Sequence, residues 1–88
     1  MTELYVIGVG ADWCGKCAQA KMKLEPYNEM IAWIDISSDL GQIYEVTYDI
    51  KNLPFFILAW NKENRVITTS RSYMEVKKAF EKIQDKEK

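Results

Sequence analysis

Two cysteines separated by two residues, Cys14-Gly15-Lys16-Cys17, are the part of this sequence best equipped for chemistry. A thiol pair at this spacing, where a helix follows a strand, is a dithiol redox signature. The spacing has a mechanical reason. On the first turn of a helix, residues i and i+3 share a face about 5–6 Å apart, close enough to bridge with little distortion. Cys14 falls near the helix N-terminus, where unpaired amides and the helix dipole favour negative charge. It is expected to have a lowered pKa, to face solvent and to act as the attacking thiolate. Cys17, one turn further in, is expected to be covered and to attack second, resolving a mixed disulfide. Gly15 is expected to let the loop turn tightly, and Lys16 adds a positive charge beside the thiolate.

Other readings of the pair stay open at this point. Free cysteine is among the most buried residue types, so these could be two core thiols. They could also be half of a metal or iron–sulfur site shared between two chains, since one chain supplies only two ligands. The rest of the composition narrows the chemistry. There is no histidine and no third cysteine, which excludes a four-ligand structural zinc site, a histidine-based triad and an imidazole general base. Twelve basic and 13 acidic side chains leave a net charge of −1, without the basic excess that phosphate-driven binding needs, so no nucleic acid is expected as a partner. The longest apolar stretch, Leu53 to Trp60, is eight residues long and contains Pro54, whereas a membrane-spanning helix needs about 20. The first residues carry Glu3 where a signal peptide needs positive charge. The expectation is a cytoplasmic protein with no membrane partner. In that compartment two close cysteines mean catalysis or redox sensing more often than a structural staple.

The elements that must position the pair follow from the apolar pattern. With 88 residues, 48% of them hydrophobic and 28% charged, the chain reads as one globular domain over residues 1–88, fraying at 85–88. Leu4 to Val9 is a short strand buried on both faces. The helical stretch Cys17 to Glu25 follows, and Pro26 should end or kink it. Ile31 to Ile36 is a second strand. Ser37, Ser38 and Asp39 offer N-caps for a short second helix carrying Leu40, Ile43, Tyr44 and Val46 and weakened by Gly41. Phe55 to Trp60 is an unbroken apolar run suited to a central strand. Residues 61–64 are its hairpin loop and Arg65 to Thr69 the returning strand. Ser72 and Glu75 form a capping box, after which Tyr73, Val76, Ala79, Phe80 and Ile83 recur on one helical face. The order β-α-β-α-β-β-α implies an α/β fold, a four-stranded mixed sheet with helices on both faces.

With these residues in place, the sequence resembles the thioredoxin family. Ala11-Asp12-Trp13-Cys14-Gly15-Lys16-Cys17 is similar to that family's Ala-Glu-Trp-Cys-Gly-Pro-Cys, and Tyr48-Asp49-Ile50-Lys51-Asn52-Leu53-Pro54 to its Tyr-Gly-Ile-Arg-Gly-Ile-Pro. The resemblance covers essentially the whole chain, without the strand and helix that open full-length thioredoxins, and so implies a minimal thioredoxin fold. In length the chain is closer to glutaredoxins and small glutaredoxin-like redoxins. The resemblance implies that Pro54 is a cis-proline beside the thiols and shapes a peptide groove. It leaves the Leu53 backbone free to pair with an extended substrate. Trp13 resembles the exposed tryptophan next to the nucleophile. Trp13, Leu53, Pro54 and Phe55 would make that groove apolar, with Thr69 or Ser70 where the family has a glycine beside it. Trp33 and Trp60 are read as core residues.

The departures matter as much as the matches. Where thioredoxins have a buried aspartate six residues before the first cysteine, this chain has Gly8. The lysine that pairs with that acid falls at Trp33 or a neighbour, leaving water or Asp12 to move the proton of Cys17. Lys16 replaces the proline between the cysteines, and no Gly-Gly-Asp glutathione site follows Thr69. The resemblance implies an enzyme, a protein-disulfide reductase using Cys14 as nucleophile and Cys17 as resolving thiol. It would act as a monomer and need no cofactor beyond the Cys14–Cys17 disulfide. Its electrons would come from a thioredoxin reductase or the glutathione system. Protein disulfides, ribonucleotide reductase among them, are the clients suggested by family analogy. The rival readings are a glutathione-dependent glutaredoxin, a slow specialised redoxin, and an interaction module with little turnover.

Overall fold

Strands that pair in parallel need a crossover connection such as a helix, whereas a tight connection joins antiparallel neighbours. Both cases occur here. The computed structural model describes residues 3–61 and 65–86. Its elements are β1 (Glu3–Gly10), α1 (Gly15–Lys23), a 3-10 helix (Glu25–Met30), β2 (Ile31–Asp35), α2 (Asp39–Tyr48), β3 (Phe55–Asn61), β4 (Arg65–Ser70) and α3 (Tyr73–Lys86). The sheet order is β2-β1-β3-β4. β1 pairs in parallel with β2 and antiparallel with β3, and β3 pairs antiparallel with β4. The α/β architecture and the mixed four-stranded sheet are those expected. The connection at 62–64, assigned to the hairpin loop, lies outside the described residues.

Side chains alternate across a strand, and this alternation divides the core into two layers. Val6 of β1 and Phe56 and Leu58 of β3 point to one face. There they pack with Ala20 of α1 and its C-cap Leu24, Tyr27 of the 3-10 helix, and Val76, Ala79 and Phe80 of α3. Val9, Phe55 and Ile57 point to the other face, where Ile50 and the half-buried Tyr44 and Tyr48 of the α2 region cover them. Helices therefore cover both faces, and β3 is a central strand. Tyr27 and Phe80 stack with ring centroids 4.8 Å apart, locking α3 to the segment after α1.

Several boundaries differ from the expectation for identifiable reasons. α1 starts at Gly15, two residues early, because Cys14 itself caps it. It ends at Lys23, and Pro26 sits in the first turn of the following 3-10 helix, where its missing N–H costs little. Gly41 is not simply a weak point of α2. Its α-carbon lies against the Asp35 carbonyl, so that a side chain there would strike the backbone of β2. The capping box at Ser72 is only half formed. The Ser72 hydroxyl accepts from the Met74 amide at 3.2 Å, but the Ser72 amide donates to Ser70 Oγ at 3.0 Å, the position expected for Glu75. α3 continues through Asp85 and Lys86, which the sequence pattern left in a frayed tail.

Candidate functional site

All four strands present one end to the same region. β1 and β2 run in parallel, so Gly10 and Asp35 lie side by side at their carboxyl ends. β3 enters from the opposite direction, bringing Phe55 opposite Val9, and β4 finishes with Ser70 opposite Phe56. The carboxyl end of parallel strands, where a helix begins, is where α/β folds bind ligands. The Cys14–Cys17 segment leaves β1 at this end, and the Leu53–Pro54 peptide, which is cis, precedes β3 there.

Cys14 is the N-cap of α1, with extended backbone angles (φ −93°, ψ 106°). Its Sγ accepts a hydrogen bond from the Cys17 amide at 3.1 Å, in the place of the oxygen of a serine or aspartate cap. A backbone donor at the head of the helix thus reaches this sulfur. Cys14 is only 8% exposed, not solvent-facing as expected, because the cap geometry turns the sulfur back over the helix end. Cys17 is 1% exposed. Both are free thiols. Burial, and then the hydrogen bond with Cys14, push the Cys17 thiol up to about 11, while a backbone hydrogen bond with Ala11 and the charge of Lys21 pull it back in part. One thiol therefore caps the helix end, and burial favours the protonated form of the other one turn behind it. Among the described residues, no group of three or more histidine, cysteine, aspartate or glutamate side chains converges as a metal site.

The remaining predicted residues are distributed unevenly. Trp13 is 78% exposed beside the cap, as expected. Pro54 is buried and Leu53 half-buried, but Phe55 turns away from the thiols into the α2-side core, with its ring 6.0 Å from that of Tyr48. Ser70 spends its hydroxyl on the Ser72 backbone. Thr69 and Ser70 both line an open groove of about 610 Å³ against α3, with Trp60 and Lys78 among its other walls. Gly15 makes no tight turn: among the described residues no glycine has a positive φ, and a side chain at Gly15 would meet nothing within 4 Å. Lys16 and Asp12 are exposed.

What sequence reasoning missed is the role of Trp33. It is half-buried, not fully core, and its indole occupies the space above Gly8, where an added β-carbon would lie 2.7 Å from Cε3. Gly10, two residues on and facing the same way, lies against Cys17, whose Sγ would be 3.2 Å from a β-carbon there. Glycines at i and i+2 of an otherwise bulky strand were the available signal, because they leave room on one face for close neighbours, here Trp33 and Cys17. The position of an acid and its lysine partner in the resemblance is thus filled by a glycine and an indole that fit each other.

No family model matches the chain, and no curated protein matches it. Solved structures do. A thioredoxin of Plasmodium falciparum is 26% identical, with 93% of this chain and 72% of that one covered at a TM-score of 0.65. A thioredoxin of Fasciola hepatica is 21% identical, covering 91% and 80% at 0.62. Mitochondrial thioredoxin 3 of Saccharomyces cerevisiae is 19% identical, covering 90% and 77% at 0.62. The chain has the thioredoxin fold, with its two cysteines at the spacing of a CxxC pair at the start of α1.

Proposed function

We propose that this thioredoxin-fold chain is a thiol-disulfide oxidoreductase that reduces protein disulfides through Cys14 and Cys17. The observation that carries the reading is the capped sulfur: Cys14 Sγ takes the Cys17 amide at 3.1 Å at the head of α1, with a second free thiol buried one turn behind it. In the first step the Cys14 thiolate attacks one sulfur of the target disulfide. The target S–S bond breaks, one target thiolate leaves, and a mixed disulfide forms. In the second step Cys17 gives up its proton and attacks the Cys14 sulfur. The second target thiolate leaves and the Cys14–Cys17 disulfide closes. Two electrons pass to the target, which takes up two protons.

In this reading the exposed Trp13 next to Cys14 and the cis Leu53–Pro54 peptide at the same end of the sheet would offer an apolar edge and backbone groups to an extended segment. The Cys14–Cys17 disulfide is the sole redox group in this proposal, and a reductase or glutathione returns the electrons. The reading is tested by insulin reduction with dithiothreitol as the electron source. Wild-type protein is expected to accelerate precipitation of the insulin chains, and Cys14→Ser to abolish the acceleration. Equal rates with and without wild-type protein would overturn it. Recycling by glutathione alone, without a reductase, would redirect it to a glutaredoxin.

A further inference from the structure

The thiol that must attack second is the one burial holds protonated, and no carboxylate occupies the position from which thioredoxins assist it. The groups that do surround Cys17 are few. Cys14 faces it from the helix cap, and Lys21 lies one turn further along the same face of α1. Beyond Gly10 is a small cleft of about 170 Å³, whose walls include Asp12, Lys21, Trp33 and Asp35. Asp35 is committed elsewhere: its carboxylate accepts from the Ser37 amide at 2.8 Å and from the Ser37 hydroxyl, which holds it below the usual carboxylate range. It stays ionised and is a poor proton acceptor.

Lys21, in contrast, is engaged through its ammonium by Trp33 and through its backbone carbonyl by Asn28. Its ammonium lies 5.1 Å from the centroid of the Trp33 ring, a cation–π distance. Its carbonyl accepts from Asn28 Nδ2 at 2.9 Å, while Asn28 Oδ1 accepts from Trp33 Nε1 at 3.1 Å. Lysine, asparagine and indole thus form a closed circuit. The indole that fills the space over Gly8 thus also engages the ammonium, on the strand face where Gly10 abuts Cys17.

We propose that Lys21, held by Trp33 and Asn28, is a positioning residue that stabilises the Cys17 thiolate for the resolving step, in place of a buried acid. The inference rests on the dithiol reading above. The proton of Cys17 leaves to water, the thiolate attacks Cys14 in the mixed disulfide, and the departing target thiolate takes a proton from water, so the step is proton-neutral overall. Lys21 changes no bond and lowers the cost of the anion by its charge. The direction agrees with the pull of Lys21 on the Cys17 thiol.

The test separates the two steps by stopped-flow reaction of the reduced protein with a chromogenic aromatic disulfide. Cys14 releases one equivalent of coloured thiolate in a first phase, and Cys17 releases the second in a second phase. At neutral pH and low salt, Lys21→Met is expected to slow the second phase relative to the first by about two- to fivefold, the range for an exposed charge. Lys21→Arg is expected to restore it, and the difference is expected to vanish near about 1 M salt, where such a charge is screened. An unchanged second phase in Lys21→Met overturns the inference. So does a slowing that persists undiminished at high salt, which marks a packing effect. A wild-type protein with no second phase overturns the dithiol reading itself, an outcome distinguishable from either.

Discussion

The fit between Gly8 and Trp33 makes a quantitative prediction about stability. A β-carbon at Gly8 would stand 2.7 Å from Cε3 and 2.8 Å from Cζ3 of Trp33, well inside carbon–carbon contact at about 3.5–4.0 Å. Relief must come from the indole, because Gly8 is fixed in β1 between β2 and β3. Moving the indole disturbs its edge contact with Phe56 (centroids 5.6 Å apart, 73° between planes), its hydrogen bond to Asn28 and the Lys21 ammonium above it. Forced overpacking of this kind costs about 1–3 kcal/mol. For a domain of this size each kcal/mol lowers Tm by about 4–8 °C, so Gly8→Ala is expected to lower it by about 4–24 °C. The assay is urea unfolding of wild type, Gly8→Ala, Trp33→Leu and the double variant. Each single change is expected to destabilise, and the double to be less destabilised than their sum by about 1–2 kcal/mol, since the smaller side chain makes room for the methyl. A Gly8→Ala variant as stable as wild type, or strict additivity in the double, would refute the reasoning.

Three more outcomes follow from the same geometry. Because burial raises the Cys17 thiol from 9.0 to about 11, its contribution to stability is fully present below about pH 9 and lost as pH rises through about 11. Wild type should therefore lose about 2–3 kcal/mol more than Cys17→Val between pH 8 and pH 11 in denaturant titrations, and parallel pH curves would contradict this. Gly15→Ala should fold with wild-type stability or gain up to about 1 kcal/mol, because a methyl there meets open space on the first turn of α1; a marked loss in thermal melts would show that the glycine is needed. Gly41→Ala, by contrast, should cost about 2–3 kcal/mol in the same melts, since the methyl would strike the Asp35 carbonyl, and a neutral result would count against the packing of α2 on β2.

Much of this fold was legible because its apolar runs are unambiguous. Leu4 to Val9 and Phe55 to Trp60 are interior strands of the sheet, although Tyr5 is 57% exposed and β1 is not covered on both faces along its length, and Val76, Ala79 and Phe80 recur at helical spacing and are buried as expected. The cysteine pair was legible from spacing and context alone. What escaped was set by close approach between distant segments. Nothing local reveals that Gly41 abuts the Asp35 carbonyl, or that Gly8 yields its space to Trp33 from the neighbouring strand. α1 does end before Pro26 as expected, but the 3-10 helix Glu25–Met30 was not foreseen, because a proline that ends one helix serves equally well in the first turn of the next. Cys14 was expected in the open because an attacking thiol needs access; its role as N-cap turns the sulfur inward, and that depends on backbone angles the residue type does not specify.

The measurement that bears most directly on the central claim is a redox titration of the purified chain against glutathione, with the thiol state of Cys14 and Cys17 read by mass after alkylation. The account predicts a single two-electron transition between the free dithiol and an intramolecular Cys14–Cys17 disulfide, with a midpoint below about −220 mV, on the reducing side of the range spanned by thioredoxin-fold proteins. Two thiols that never join at any poise, or a midpoint near about −120 mV, where oxidation of clients is favoured, would contradict it.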